Sequence, residues 1–396
     1  MAQLRERRSA AGVSAATVWY LPLRFADGTA LHRIGLHLLI GVGKHLGAQL
    51  LLAHHAVDAR HQEAQQFCLT LRQLQRQCLV VERATGRVAV ERTTAQLLSL
   101  AAQSRATLDL WRTQEALDID FSSSGKLVMF RSPAAFEGAR QQLALQQRLG
   151  GAPQEAVSSD EACAIEPALA PRRDDFAGGI YTDSECAADC LAVCQGLQRL
   201  LAARGVRFVL GTRVEGFVHH ARRIAAVQTS AGAIEAQQFV LALGSASHQA
   251  AKTLGFRLPI YPLKGYSVTL DTTDAAGAAP RVNVTDAARK VVFARIGRRL
   301  RVAGMAELVG HDDHIPPARI QSLCEATRAL FPGCSDFSEL SPWTGMRPAT
   351  PTGVPLVGRH THAPDNLLLN TGHGALGFTL AFGTAAQVAE LVVPTA

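Results

Sequence analysis

Apolar positions in the C-terminal part of the chain follow the spacing of two short strands and one helix. Residues 354–357 and 366–369 are apolar runs of the length typical of buried strands, whereas residues 376–392 are apolar over a length that suits a helix. Glycines occupy the connection between the second run and the helix. The pattern therefore predicts a strand, a glycine-rich turn and a helix, in that order.

The same patterning predicts further elements upstream. We expect helices at residues 132–148, 189–204 and 317–330, and a helix start at residues 158–161, where serines precede acidic residues. We expect strands at residues 127–130, 180–182, 206–210, 267–270, 291–294 and 300–303, and a meander over 214–227 and 233–243. Interleaved strands and helices indicate a mixed α/β (α+β) fold, and 396 residues are enough for two domains.

Candidate chemistry concentrates in the C-terminal region. Gly372, Gly374 and Gly377 leave backbone amides uncovered at the start of the predicted helix, where an acceptor or a negative charge is favoured. The glycines alone fit an ordinary strand-to-helix turn equally well. Arg347 changes the balance, because a guanidinium stiffened by nearby prolines can hold a carboxylate through two parallel hydrogen bonds.

Four runs carry a resemblance that is more specific than any of these features alone. They are residues 261–267 (YPLKGYS), 301–307 (RVAGMAE), 343–355 (WTGMRPATPTGVP) and 369–377 (LNTGHGALG). From about residue 95 to the C-terminus, the chain resembles the D-amino acid oxidase superfamily of FAD enzymes, in particular the small subunit of bacterial D-amino acid dehydrogenases. The resemblance implies FAD as the cofactor and a D-alanine-like D-amino acid as the substrate. Such enzymes oxidise the substrate to an imine, which hydrolyses to a 2-oxo acid and ammonia.

The resemblance also implies a division into domains. Residues 95–182 and 252–340 are expected to form a substrate domain built on an antiparallel sheet. Residues 183–251 and 341–396 are expected to belong to a Rossmann-like FAD-binding domain. In that domain Val214 would lie near the adenine, and Gly244 with Ser245 near the diphosphate.

The resemblance assigns roles to individual residues as well. Arg347 is the expected anchor of the substrate carboxylate, and Tyr266 is a candidate hydrogen-bonding partner or, equally, a strand tyrosine packed between domains. Lys264 and Gly265 are expected to form a turn against the flavin edge, and His373 either bonds the flavin or substrate or satisfies its own turn. The candidate cofactor-binding residues are Val214, Gly244, Ser245, Lys264, Gly265, Gly345, Gly372, His373, Gly374 and Gly377.

Residues 1–94 depart from the family pattern. Members begin with a strand, a G-x-G-x-x-G turn and a helix, followed by an acidic residue that holds the adenosine ribose. The nearest run here is residues 41–47 (GVGKHLG), whose third glycine comes one place late, with Asp58 further on. We interpret residues 1–94 as an atypical segment in place of the first FAD-binding βαβ unit. One hypothesis is that the segment is a replaced or frame-shifted translation.

Charge and cysteine spacing limit the partners. The net charge of +7 comes mostly from arginine, and no dense basic run with interleaved aromatics occurs, so we expect no nucleic-acid partner. We expect a cytoplasmic protein, with peripheral association with the inner membrane as the alternative. Cys186, Cys190 and Cys194 follow helical spacing along one face, which cannot converge on one ion, so we expect reduced cysteines and no metal.

Two classes of function remain open at the level of the sequence. The first is a flavoenzyme: a D-amino acid dehydrogenase that passes electrons to a quinone or another respiratory acceptor, with a glycine or sarcosine oxidase-like enzyme as a variant. The second is a catalytically inactive or flavin-free relic of the family, because the N-terminal glycine fingerprint is missing while the C-terminal runs are intact. Flavin binding separates the two classes.

Overall fold

The computed structural model describes residues 87–272 and 277–392. The helices in these ranges are α1 (Arg87–Gln114), α2 (Pro133–Arg148), α3 (Ser159–Ile165), α4 (Cys190–Ala203), α5 (Ser247–Thr253), α6 (Pro317–Leu330) and α7 (Gly377–Val392). The strands are β1 (Lys126–Phe130), β2 (Glu155–Val157), β3 (Gly178–Thr182), β4 (Val214–His220), β5 (Arg223–Thr229), β6 (Gly232–Glu235), β7 (Phe239–Leu241), β8 (Tyr261–Asp271), β9 (Asn283–Asp286), β10 (Val291–Ile296), β11 (Arg299–Glu307), β12 (Leu340–Ala349), β13 (Leu356–Gly358) and β14 (Leu367–Thr371). Single turns of 3₁₀ helix occupy Gly244–Ala246 and Gly374–Leu376, and a longer kinked 3₁₀ segment covers Pro167–Asp175.

An eight-stranded sheet dominates the described residues, in the order β12-β8-β11-β10-β9-β1-β3-β2. Its strands are antiparallel neighbours except for β1 and β9, which run parallel. Side chains alternate between the two faces of a strand, and directly paired residues share a face. We call the face that carries Tyr266 the helical face and the opposite face the Arg347 face.

The helical face holds the largest hydrophobic core of the described chain. Helices α3 and α6 cover it, and Phe293 and Phe331 meet edge to face with their centroids 5.1 Å apart. Val268, Leu323 and Tyr266 complete the centre of this core, each with at most 1% of its surface exposed. This burial makes the sheet a rigid platform.

Two small three-stranded sheets form the remaining β structure. β13, β14 and β7 make one sheet, in which β14 and β7 are parallel, and β4, β5 and β6 make an antiparallel meander. Asn366 ties the two sheets together: its Oδ1 accepts from the Ile224 amide at 2.9 Å and its Nδ2 donates to the Ile224 carbonyl at 2.9 Å. The parallel pair places the carboxyl ends of β7 and β14 side by side.

Helices α1 and α7 cross closely at a glycine. A Cβ atom added at Gly383 would lie 2.8 Å from the Leu100 carbonyl oxygen and 3.1 Å from the Ser104 Cβ, so only glycine permits this separation. Next to the crossing, Leu100 and Leu380 belong to a small buried cluster. The 19-residue segment Gly374–Val392 also has the length and apolarity of a membrane span, with a mean hydropathy of 1.4 over its most apolar window. Part of the apolar surface of this segment is buried by its packing on α1.

Most predicted elements are confirmed. The helix predicted at 317–330 has those bounds, and α2 and α4 begin directly after their N-caps Ser132 and Asp189. Ser158 and Glu161 form a reciprocal capping box at α3. The C-terminal order of strand, glycine turn and helix is also present.

Three predictions about elements are wrong. Residues 206–210 form no strand, because the Val206 amide instead closes the end of α4 on the Leu201 carbonyl at 2.9 Å, with Gly205 in the left-handed region. Lys264 and Gly265 lie in the middle of β8 and not in a turn. Cys186 lies before α4, so the three cysteines do not share one helix face.

One segment assigned to the expected FAD-binding domain pairs with the large sheet. Residues 341–349 pair with β8 along β12, and so extend the eight-stranded sheet that also contains strands from the expected substrate domain. Residues 87–94, assigned to the atypical N-terminal segment, form the start of α1. The glycine run at 41–47 and the rest of the predicted N-terminal segment lie outside the described residues.

Candidate active site

Arg347 lies across the sheet on the Arg347 face. Its strand, β12, places it opposite Leu263, and the side chain runs over Gly265 on β8. The guanidinium Nη1 donates to the Met305 carbonyl oxygen on β11 at 3.0 Å. The cation is therefore held by three adjacent strands near one edge of the sheet.

Glycine at position 265 is required by this arrangement. A Cβ atom at Gly265 would overlap the guanidinium of Arg347. The missing side chain leaves the space that the cation occupies, which we call the seat of Arg347. Gly345, which pairs with Gly265, is covered in the same way by the indole ring of Trp343. Both glycines were predicted to bind the cofactor; the structure gives them the additional role of seating Arg347 and Trp343.

A second arginine lies further along the same face. The Arg301 guanidinium is 5.4 Å from the centre of the Trp343 ring, and its Nη2 donates to Ser267 Oγ at 3.2 Å. Arginine on an aromatic face is attracted by the ring quadrupole. Trp343 and Arg301 thus form one wall of the surface beside Arg347, and neither was predicted as a site residue.

Buried polar atoms without a described partner line the middle of this face. Thr285 Oγ1 and Asn283 Oδ1 are inaccessible and have no hydrogen-bond partner among the described residues. The ladder from β9 through β10 and β11 puts Thr285 on the same face as Ser267 and Trp343. Buried polar groups are normally satisfied by protein, water or ligand, so each of these two oxygens leaves a buried hydrogen-bonding position for a water molecule or a ligand atom.

The structure does not bring Tyr266 or Lys264 to Arg347. Both point to the helical face, where the Tyr266 hydroxyl donates to Glu307 Oε2 at 2.6 Å. Lys264 Nζ binds Asp312 Oδ2 at 3.0 Å and donates to the His314 carbonyl at 2.5 Å. Burial lowers the pKa of Lys264, but the interactions with Asp312 and Tyr266 together outweigh it and the pKa is raised. Lys264 is therefore a charged structural lysine. Strand alternation therefore turns both side chains away from Arg347, and the burial of Tyr266 favours the alternative of a packed strand tyrosine.

Two glycine turns meet at the carboxyl ends of β7 and β14. Gly244, Gly372 and Gly374 have φ of 54°, 79° and 56°, the left-handed region that favours glycine. Ser247 Oγ and Thr371 Oγ1 are 2.8 Å apart, and Thr371 donates to the Gly244 carbonyl at 3.1 Å. These buried hydrogen bonds fix the two turns to each other.

The strand that carries Arg347 contacts both turns, Gly244–Ala246 and Gly374–Leu376. Thr350, just after β12, packs on Gly372, where an added Cβ would lie 2.7 Å from its methyl group. The strand of the predicted anchor is therefore a neighbour of the predicted cofactor turns, whose roles stay predictions.

His373 turns away from this junction. Its Nε2 lies 3.0 Å from Thr384 Oγ1 on α7, and burial lowers the pKa of His373 to about 4. This geometry favours the second of its two predicted roles, a histidine that satisfies its own turn. It is neutral at physiological pH.

The remaining predicted cofactor residues lie at element ends. Ser245 is in the 3₁₀ turn that follows β7, and Gly377 is the first residue of α7. Val214 begins β4, in the meander that Asn366 ties to β14. Their contacts to a cofactor stay predictions.

Comparison with known proteins identifies the family. The sequence model described as FAD dependent oxidoreductase matches residues 45–391. The chain belongs to this family. D-amino acid dehydrogenase 2 of Ralstonia nicotianae is 47% identical over 318 residues, covering 78% of this chain and 74% of that protein. The protein of the same name from Pseudomonas aeruginosa is 46% identical over 303 residues, covering 76% and 70%.

Solved structures support the fold of this FAD-dependent oxidoreductase. Glycine oxidase from Geobacillus kaustophilus aligns with a TM-score of 0.67 at 22% identity, over 75% of this chain and 79% of that one. L-proline dehydrogenase from P. horikoshii gives 0.66 at 18% identity, over 74% and 78%. At these identities the likeness concerns the architecture alone.

The residues at the glycine turns fit FAD. Glycines with left-handed backbone at the ends of parallel strands allow close backbone approach by a ring or a phosphate. Asn370 Oδ1, at the end of β14, is buried without a described hydrogen-bond partner, which leaves an acceptor for a ligand N–H or a water. Gly372, Gly374, Gly244 and Asn370 are the described residues that would hold the cofactor.

Proposed function

We propose that this FAD-dependent oxidoreductase oxidises D-amino acids to 2-oxo acids and ammonia. The observation that carries the proposal is the position of Arg347, a cation seated on the Arg347 face by a strand that contacts both glycine turns. The names of its relatives, D-amino acid dehydrogenases at 46% and 47% identity, supply the substrate class.

In this proposal Arg347 binds the substrate carboxylate through a bidentate, charge-assisted pair. Binding at one end orients the α-carbon, and orientation accounts for most of the catalytic contribution of the protein. The indole of Trp343 covers Gly345 on the β12 side and excludes water there.

FAD held at the glycine turns would supply the two-electron acceptor for the hydride that leaves the α-carbon. The C–H bond breaks with both of its electrons, and the lone pair of the substrate nitrogen forms the C=N bond of the imine, so the amino group must be neutral at that moment. Water then hydrolyses the imine. The side chains named on the neighbouring part of this face, Trp343 and Ser267, do not titrate near neutral pH, so we expect the amino group to lose its proton to solvent and turnover to rise with pH.

We further propose a quinone or another respiratory carrier as the electron acceptor, in a cytoplasmic enzyme that associates peripherally with the inner membrane. The word dehydrogenase in the names of the relatives supports an acceptor other than oxygen. The check is reoxidation of the substrate-reduced enzyme. A ubiquinone analogue should restore the flavin band much faster than air does, and the reverse order would indicate an oxidase.

The experiment that tests the main proposal is the visible absorption spectrum of the purified protein with added FAD, followed by anaerobic D-alanine or L-alanine. A bound flavin band that D-alanine bleaches and L-alanine leaves intact is the expected result. A bound flavin that neither isomer reduces would reject the substrate class. Absence of bound flavin would favour the second candidate, a flavin-free relic, which the atypical N-terminal sequence supports.

Replacement of Arg347 by leucine tests the anchor. Loss of a desolvated bidentate pair is worth about 2 to 5 kcal/mol, so KM for D-alanine should rise by roughly 30-fold or more. The flavin content should stay similar, since the glycine turns are unchanged. An unaltered KM would remove Arg347 from the site.

A further inference from the structure

A β-bulge lies in β11 directly beside the seat of Arg347. Gly304 pairs with Tyr266 and Glu307 pairs with Lys264, so Met305 and Ala306 together oppose the single residue Gly265. Met305 has φ of 64°, in the left-handed region that a long side chain rarely adopts. Such a conformation persists only where the surroundings hold it.

The bulge presents an acceptor to the candidate anchor. The Met305 carbonyl oxygen accepts from Arg347 Nη1 at 3.0 Å, while the Met305 side chain packs against the core of the helical face. Gly265 lies under the guanidinium and directly opposite the bulge. The direction in which Arg347 points therefore depends on a backbone conformation that methionine alone does not favour.

Glu307 secures the far end of the bulge from the helical face. Its Oε2 accepts from the Tyr266 hydroxyl at 2.6 Å, and Tyr266 is 1% exposed. Its Oε1 lies 2.5 Å from Arg319 Nη2 on α6, a pair in which the arginine side chain is 49% exposed. The buried phenol contact carries more weight than the half-exposed ion pair, because solvent screens the latter.

We propose that Glu307 is a positioning residue for Arg347: held by Tyr266 and Arg319, it fixes the Met305 bulge whose carbonyl oxygen aligns the Arg347 guanidinium with the substrate carboxylate. Glu307 acts through the backbone from the opposite side of the sheet and does not touch the substrate. The inference rests on the proposed function, since it presumes that Arg347 binds a carboxylate. It gives Tyr266 a role in the reaction without contact to the reacting atoms.

A double-mutant cycle on the flavin-loaded protein tests this inference. The probe is propionate, which is alanine without the amino group. It keeps the carboxylate but cannot form an imine, so it binds without being oxidised. Its dissociation constant is read from the perturbation of the flavin absorption band. We expect Glu307→Ala to weaken propionate binding about fivefold and Arg347→Leu to weaken it at least 30-fold. The double variant should match Arg347→Leu within twofold.

Tyr266→Phe provides a second variant that keeps the ring in the core and removes only the hydroxyl donor. It should weaken propionate binding two- to threefold, raise KM for D-alanine by a similar factor, leave kcat unchanged, and have no effect in the Arg347→Leu background. The matched control is Asp286→Asn, at a buried carboxylate on the same face that pairs with Arg131 at 2.7 Å, two strands across the sheet from Gly304. Asp286→Asn should lower the melting temperature and leave propionate affinity unchanged.

The outcomes separate the two proposals. If Arg347→Leu leaves propionate binding unchanged, the anchor itself is wrong. If Arg347→Leu weakens binding but Glu307→Ala and Tyr266→Phe do not, only the positioning role fails. Additive losses in the double variant, or an equal loss in Asp286→Asn, would also overturn it, because the effect would then not pass through Arg347.

Discussion

At the scale of single residues, the chemistry of this protein depends on side chains that are absent as much as on those present. Gly265 and Gly345 leave room on the Arg347 face for a guanidinium and an indole ring. Trp343 and Arg347 are two positions to either side of Gly345 on the same strand and therefore share its face. A methyl group at Gly265 would displace the cation that the proposed reaction uses.

His373 gives a pH-dependent contribution to stability that can be measured. Burial holds its pKa at about 4 in the folded protein, below the ordinary value of 6.5, so the unfolded chain binds the proton first as the pH falls. Its contribution is complete above pH 6.5 and is lost toward pH 4, on the order of 3 kcal/mol in total. The melting temperature should therefore fall more steeply over this range in the native protein than in His373→Gln, which keeps a hydrogen-bonding group toward Thr384.

Equal pH slopes for the two proteins would show that His373 is not held neutral in the folded state. The comparison is internally controlled, because every other titrating group is shared by the native protein and the variant. The readout is independent of flavin and substrate.

At the scale of elements, the order of strand and helix follows from local signals, whereas pairing does not. The Ser158 and Glu161 capping box, the Asp189 N-cap and the apolar spacing of α6 are all legible in the sequence. The bulge at Met305 is not, because methionine carries no preference for a left-handed backbone. The failed strand at 206–210 has the same origin, since the end of α4 takes up the Val206 amide.

The crossing of α1 and α7 yields a test by matched glycine substitutions. Gly383→Ala should destabilise the protein by about 1 to 3 kcal/mol, because the new methyl would lie 2.8 Å from the Leu100 carbonyl oxygen. A Cβ atom added at Gly138 in α2 would have no other atom within 4 Å, so Gly138→Ala should stabilise the protein by about 0.5 to 1 kcal/mol. Urea unfolding measures both, and a stabilising Gly383→Ala would contradict the close crossing.

At the scale of the whole molecule, the described residues combine a rigid sheet with a cofactor edge. Helices α3 and α6 bury the helical face of the sheet. The edge strand β12 contacts the turns that follow β7 and β14. In the proposed function, this arrangement lets the one strand β12 position the substrate beside the cofactor turns. Within the described part of the chain, no cluster of three or more His, Cys, Asp or Glu residues could hold a metal ion.

Cofactor binding should therefore stabilise the entire protein. A ligand that binds only the folded state at 100 times its dissociation constant adds about 2.7 kcal/mol, which corresponds to several degrees in melting temperature. We expect added FAD to raise the melting temperature by this amount and riboflavin, which lacks the diphosphate and adenine, to raise it less. Equal shifts would mean that the diphosphate and adenine contribute no binding.

The fold class, the family and the cofactor are legible in the residue order, because they depend on local periodicity and on runs of characteristic residues. Which face each strand residue occupies, including Arg347, follows from the strand pairing of the folded chain. Lys264 and Tyr266 precede and follow Gly265 in the chain yet lie on the other face, bound to Asp312 and Glu307 respectively. Pairing register and the Met305 bulge arise from contacts between residues far apart in sequence, and no local pattern encodes them.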